Sequence, residues 1–361
     1  LPEPHLPALV PFPISPLPSS KWIDGLLPEM SSREALLQIL NRRWESVRYY
    51  LPLAAQHADE TIEHVHQLRV STRRLGVILG LLSQITSGEE LLKASRTTRR
   101  IRKQCGKARD LDVQLLFLET LLLHAGTDEL TAIELLREEI REKRRKQQKR
   151  LRTGLPELQR KLEKHCRRLI AVIESPAAVE NDHETFASLG TRHLAEQMTE
   201  LWSHSPREFK SPAELHELRI ACKHLRYATE VFAPILHESF RDEFYPLLQT
   251  IQDQLGTCHD AHQALLEMDT QRPHWKQLCK NGLRCTGLGR VRWREFRIGW
   301  EAIRLAEVHR EEQARVEFLE LWPDFAGKSF RIPVEEMLAA RQRDLIPAAE
   351  NQYNTAPAEG T

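Results

Sequence analysis

Long apolar runs, aromatic side chains and alternating β-branched residues are all scarce in this 361-residue chain. No uncharged apolar stretch approaches the roughly 20 residues a helix needs to cross a bilayer, so no membrane association is expected. No secretory signal pattern opens the sequence either, and a cytoplasmic location is expected. Six cysteines (Cys105, Cys166, Cys222, Cys258, Cys279, Cys285) occur without one CxxC pair, which argues against a disulfide framework and for reduced core thiols. No HExxH segment occurs, and no carboxylate cluster stands at ligand spacing from the histidines. His64-x-His66 and His259-x-x-His262 are weak metal candidates that 16 histidines make unsurprising, so neither a metal nor a cofactor is expected. Excess charge of one sign is also missing: 52 Lys+Arg stand against 51 Asp+Glu, and only the placement of charge can indicate a partner.

What the chain does have is helical period. Apolar residues recur at i, i+3/i+4 and i+7 over 30–51, 58–84, 89–106, 108–124, 128–152, 156–174, 183–204, 212–236, 240–255 and 259–270. Gly126, Gly154 with Pro156, Ser205-Pro206, Ser211-Pro212 and Pro273 supply breaks between several of them. Four glycines (Gly282, Gly287, Gly289, Gly299) blur 273–305, and two further helices are expected over 301–321 and 333–345. No segment reads as a sheet, which predicts an all-α protein built by packing helix on helix. Seven prolines within the first 18 residues make 1–29 a Pro-rich leader, open to reading as a linker or a partner ligand, and 346–361 reads as a flexible tail.

Self-similarity organises the region between. Val65-His66-Gln67-Leu68-Arg69-Val70 returns as Leu215-His216-Glu217-Leu218-Arg219-Ile220, an offset of 150 residues. Gln104-Cys105-Gly106 with Asp110 returns as Gln254-Leu255-Gly256 with Asp260 at the same offset. Two motifs sharing one offset predict two related helical halves, 30–178 and 180–345. Gly106 and Gly256 read as helix ends or close-packing points, and Asp110 and Asp260 as caps of the following helices.

The repeated segment is amphipathic in a particular way. At about 100° per residue, His66, Arg69 and Arg73 share a face with Arg74 at its edge, opposite Leu68, Leu75, Leu79 and Leu82. His216, Arg219 and Lys223 do the same beside His224 and Arg226, opposite Leu218, Leu225 and Phe232. A charged helix face is ordinarily just solvated, and acids at i+4 then relieve it; neither Arg69 and Arg73 nor Arg219 and Lys223 have an acid at that spacing on the C-terminal side, so an external anion is expected. Arg96, Arg99, Arg100, Arg102, Lys103, Lys107 and Arg109 follow with no acid from Lys93 to Arg109. Its counterpart at 246–259 is not basic, which predicts an asymmetric site richer in the first half. Arg290, Arg294 and Arg297 add charge at helical spacing in the second. The tracks at 66–74 and 96–109 contain no aromatic residue on which a base could stack, so nucleic-acid binding is the lesser alternative. A histidine phosphoacceptor or metal-dependent phosphohydrolase is a further one.

His66–Arg69–Arg73–Arg74 and His216–Arg219–Lys223–His224, with Gly106-Lys107-Ala108-Arg109-Asp110-Leu111-Asp112, resemble the conserved histidine α-helical domain (CHAD) family over roughly 30–345. The resemblance implies two helical bundles with pseudo-twofold symmetry around a basic groove or pore that binds inorganic polyphosphate without catalysis. It also implies an association with polyphosphate granules. Gly256-Thr257-Cys258-His259-Asp260 departs from the family pattern by lacking the basic pair. The Glu-x-Glu-x-Lys signature of the triphosphate-tunnel domain found in many relatives does not occur, so triphosphatase activity is not implied.

Overall fold

A computed structural model describes residues 21–58, 60–175, 184–205, 211–285, 289–327 and 336. Most of the expected leader, the tail and all but one residue of the expected helix at 333–345 lie outside the described residues. The described chain is all-α: α1 Ser32–Gln56, α2 Glu63–Ile85, α3 Glu89–Leu122, α4 Thr127–Ile173, α5 Phe186–Ser203, α6 Pro212–Phe232, α7 Tyr245–Lys280 and α8 Trp293–Ala326. Among the described residues the one sheet is a small antiparallel hairpin, β1 Arg284–Cys285 on β2 Gly289–Arg290, which the sequence pattern did not predict. No described helix is long and apolar enough to cross a membrane.

Several expected breaks are absent, and the corrected helices are longer. The segments 89–106 and 108–124 form one helix through Gly106, and 128–152 joins 156–174 through Pro156. Likewise 245–255 and 259–270 merge into α7, which continues through Pro273, while Phe240–Phe244 forms a π-helical turn before it. Packing overrides local propensity here: Leu151, Leu155, Leu158 and Leu162 are all buried on either side of Pro156. The blurred stretch resolves into the hairpin and the start of α8, and Gly299 lies inside that helix. A Cβ on Gly299 would stand 2.3 Å from the Glu129 carbonyl oxygen, so the crossing of α8 over α4 requires glycine.

Helix starts are fixed by side chains. The Ser31 Oγ accepts from the Glu34 N–H at 3.1 Å, and Thr185 caps α5 through the Ser188 N–H at 3.1 Å. Ser211 and Glu214 form a capping box at the head of α6. Ser31 and Thr185 also bridge in antiparallel fashion, and the Ser32 N–H donates to the Glu184 carbonyl at 2.9 Å, so α1 and α5 start side by side.

Packing runs in the same order twice: α1 on α2, α2 on α3 and α3 on α4; then α5 on α6, α6 on α7 and α7 on α8. Contacts of α1 with α5, α2 with α6 and α4 with α8 join the two series. The principal core is leucine-rich, and each fully buried side chain such as Leu68, Leu75, Leu82 or Leu225 contributes about 2 kcal/mol of transfer free energy. A second, aromatic core fills the far ends of α3, α4, α7 and α8, where the Trp275 and Phe296 rings stack with centroids 4.8 Å apart. Cys105, Cys166, Cys222, Cys258 and Cys279 are buried free thiols, and burial pushes Cys105 up to about 11, well out of the reactive range.

Candidate anion-binding site

The apolar faces of α2 and α6 dock into the principal core, and this leaves His66, Arg69 and Arg73 on one helix and His216, Arg219 and Lys223 on the other half-buried beside α3 and α7. The second repeated motif explains how they are seated. Arg69 lies across α3 at Gly106, where an added Cβ would stand 2.5 Å from its Nη1, and reaches Asp110 at 3.5 Å. Arg219 passes α7 at Gly256, its Nε 3.8 Å from the corresponding Cβ position, and feels the charge of Asp260. Of the two expectations for Gly106 and Gly256, close packing holds and helix ends do not: both are mid-helix passages for the arginine of the paired helix. Asp110 and Asp260 stand one turn later within the same helices and do not cap anything.

Arg102 of α3 joins the α2 cations. It projects from α3 back over Gly76 of α2, 3.5 Å from where a Cβ would be, so two arginines interlock across the α2–α3 seam. The cations are close enough to oppose one another's charge. The Lys223 ammonium is held below its ordinary value by burial and then by Arg73, Arg219, Arg102 and Arg69. Arg102 is lowered by burial and then by Arg73, Arg99 and Arg69. Burial first, and Arg73 and Arg69 among the charges, lower Arg219 against the pull of Asp260 and Asp110. Asp110 is itself pushed up, by surrounding protein first and by Asp260 across the cluster. Its side chain is nevertheless 63% exposed, which fits a carboxylate crowded by protein on one side and wet on the other.

Histidines border the cluster. Burial and then Arg109, with Arg73 and Arg69 behind it, hold His66 below 6.5. The Nδ1 atoms of His216 and His259 lie 3.2 Å apart, and burial followed by Arg219 lowers His259. Arg73 links α2 to α6 by donating to the Tyr227 hydroxyl at 3.0 Å.

Of the residues expected from the sequence, the structure brings together His66, Arg69, Arg73, Arg109, His216, Arg219 and Lys223. Arg74 and Arg226 turn inward instead. Arg74 donates to Glu230 at 2.6 Å, while Arg226 donates to Glu230 at 3.1 Å and to the Tyr245 hydroxyl at 2.9 Å. His224 is exposed, 3.8 Å from Glu200 of α5. Arg96, Arg99, Arg100, Lys103 and Lys107 are exposed along α3, with Arg100 paired to Glu157 at 3.2 Å. Arg290 is on β2, and Arg294 and Arg297 open α8 beside the aromatic core, roughly 20 Å along α7 from Asp260. Tyr227 and His259 were not expected at the anion site, and Arg102 was read only as part of the acid-free stretch on α3. Asp112 holds Arg144 of α4 at 2.6 Å, a buried pair that braces α3 against α4. A separate cleft of about 440 Å³ between the α3–α4 turn and α8, lined by Leu121, Ile133, Ile298 and Leu305, has no cation cluster.

Fold and site define an all-helical protein in which two histidine–arginine helices meet over a shared set of cations. The CHAD domain family matches residues 38–267, and the chain belongs to that family. Its fold is similar to the crystal structure of the CHAD domain from the plant Ricinus communis, with a TM-score of 0.59 at 20% identity over 91% of this chain and 98% of that one. It is also similar to PptA from Streptomyces chartreusis, with a TM-score of 0.51 at 15% identity over 81% of this chain and 99% of the other. No curated protein matches in sequence.

Proposed function

We propose that the protein binds inorganic polyphosphate non-catalytically, through Arg69, Arg73, Arg102, Arg109, Arg219 and Lys223 with His66 and His216 at the border. One observation carries this reading: cations from three helices converge around Asp110 and Asp260 and lower one another, at a cost each would avoid in isolation. A chain of phosphates relieves that repulsion at every unit. Arginine forks take its oxygens bidentately while Lys223 acts as a point charge. Tyr227 is buried, so the cluster offers no free aromatic face on which a base could stack. The repeated Arg–Gly–Asp seating supports two halves related by a pseudo-twofold, around a groove richer in charge on the α2–α3 side. Partnership with polyphosphate granules in the cytoplasm is the corresponding cellular reading.

The direct test is titration with long-chain polyphosphate at several salt concentrations, with single-stranded RNA and duplex DNA as competitors. Tight, salt-sensitive binding that neither nucleic acid displaces is expected; displacement by either would make the cluster a general anion surface.

Gly106→Ala separates seating from folding. The new methyl must push the Arg69 fork off Asp110, and affinity is expected to fall about five- to tenfold. Stability should hold or rise by up to ~1 kcal/mol, since alanine favours the helix interior. Calorimetric titration beside urea unfolding checks both.

Binding should also depend on pH with a definite sign. His66 and His259 are held below 6.5 without ligand, and a bound polyanion favours their protonated forms. Binding then takes up protons as pH falls from about 7 towards 5, and affinity rises by about three- to tenfold before levelling off. A profile that is flat over this window would remove the histidines from the site.

A further inference from the structure

Resting on the polyphosphate reading, we propose that the outer face of α3 is a second station for the same polyanion, so that the protein favours long polyphosphate chains over short ones. Because α3 runs unbroken from Glu89 to Leu122, Arg96, Lys103 and Lys107 align within about 40° of arc and span about 16 Å. All three are exposed, and no ion pair engages any of them among the described residues. This face points away from the core residues Ile101, Cys105 and Ala108 on the same helix.

The ridge is continuous with the cluster. Around the axis of α3, Arg102 leans over Gly76 towards α2, and Arg99 lies about 60° further round, close enough to lower the Arg102 value. Lys103 and Arg96 come next in the same direction. A chain leaving the cluster past Arg102 and Arg99 therefore meets cations at each step onto the ridge. Arg100 lies on the far flank and is partly neutralised by Glu157. Charge complementarity and this continuity commit the face to the polyanion already in the cluster. A short oligomer fills the cluster alone, whereas a long chain gains contacts on both.

The experiment compares tripolyphosphate with long-chain polyphosphate on the full chain and on its R96Q/K103Q/K107Q variant. The variant is expected to bind tripolyphosphate as the parent does. Its affinity for long chains should fall about tenfold, with the slope of log affinity against log salt shallower by about 2. If the parent binds both ligands and the variant changes neither, the second station is overturned while the cluster reading stands. Equal weakening for both ligands would mean one undivided site and would overturn the length preference. A parent that binds neither polyphosphate would sink the cluster reading and this inference with it.

Discussion

Replacing Glu230 with alanine is expected to cost the fold about 3–5 kcal/mol and to lower Tm by on the order of 10 °C. The Glu230 side chain is 1% exposed and takes hydrogen bonds from Arg74 at 2.6 Å, Arg226 at 3.1 Å and the Tyr245 hydroxyl at 2.7 Å. Arg43 of α1 is drawn into the same field. Burial and then Arg74 bring it down to about 10, and Glu230 is the first charge that opposes the fall. One carboxylate thus answers buried cations from α1, α2 and α6. Removing it leaves those cations facing each other in a low-dielectric interior, while the cavity adds a smaller loss. Thermal and urea unfolding measure the cost directly. Glu230→Gln, which keeps the shape and an acceptor but not the charge, should fall between wild type and alanine. A Glu230→Ala protein with the parent's Tm would mean that water or a shift of α2 replaces the carboxylate without penalty.

This lock was invisible in the sequence because an angular projection says which residues share a face but not what stands opposite. Arg74 and Arg226 lie at the edges of the two basic faces, and the projection assigned them to the anion. Glu230 stands at i+4 from Arg226, a pairing that local spacing alone marks, but it lies 156 residues from Arg74 and nothing in the sequence joins those two. The same blindness hid Arg102. Its position on α3 points away from the arc that contains Arg96, Lys103 and Lys107, and only the groove at Gly76 on α2 gives it a path towards the cluster.

Helical class, by contrast, was legible nearly throughout, since the 3.6-residue period needs only the chain itself. Boundaries failed where a residue with poor helix propensity was held by tertiary packing. Gly106 and Gly256 read as helix ends or close-packing points, because glycine costs a helix about 1 kcal/mol; the second alternative describes them, since each is where an arginine from the neighbouring helix crosses. Their repetition at an offset of 150 was readable; that Gly106 belongs with Arg69, and Gly256 with Arg219, required the packing of α2 on α3 and of α6 on α7. Asp112 closes the readable Gly106–Asp112 motif, but its partner, Arg144 of α4, likewise required the packing of α3 on α4.

The double variant Arg219→Gln, Lys223→Gln should lose about two orders of magnitude in polyphosphate affinity at low salt while keeping, or slightly raising, its stability. Each side chain is half-buried, and other cations lower both from their ordinary values once burial has acted. Charge there opposes the folded state, so removing it leaves Tm unchanged or higher, as for sites whose composition serves binding over stability. Bound phosphate reverses that balance, because each charge-assisted contact then contributes about 1.5 kcal/mol and two together give about a hundredfold. The salt slope should become shallower by about 1.4, the share of two cations on a single-stranded polyanion. Glutamine keeps the helix and most of the packing, and neither side chain holds a buried partner as Arg74 holds Glu230, so weaker binding could not be ascribed to lost structure. Titration at three salt concentrations, beside a melting curve on the same preparation, reads all of these quantities. Loss of affinity together with loss of Tm would make the two residues structural. Full affinity at an unchanged Tm would move the anion off α6 and onto the α2–α3 seam alone, where Arg69 and Arg102 interlock.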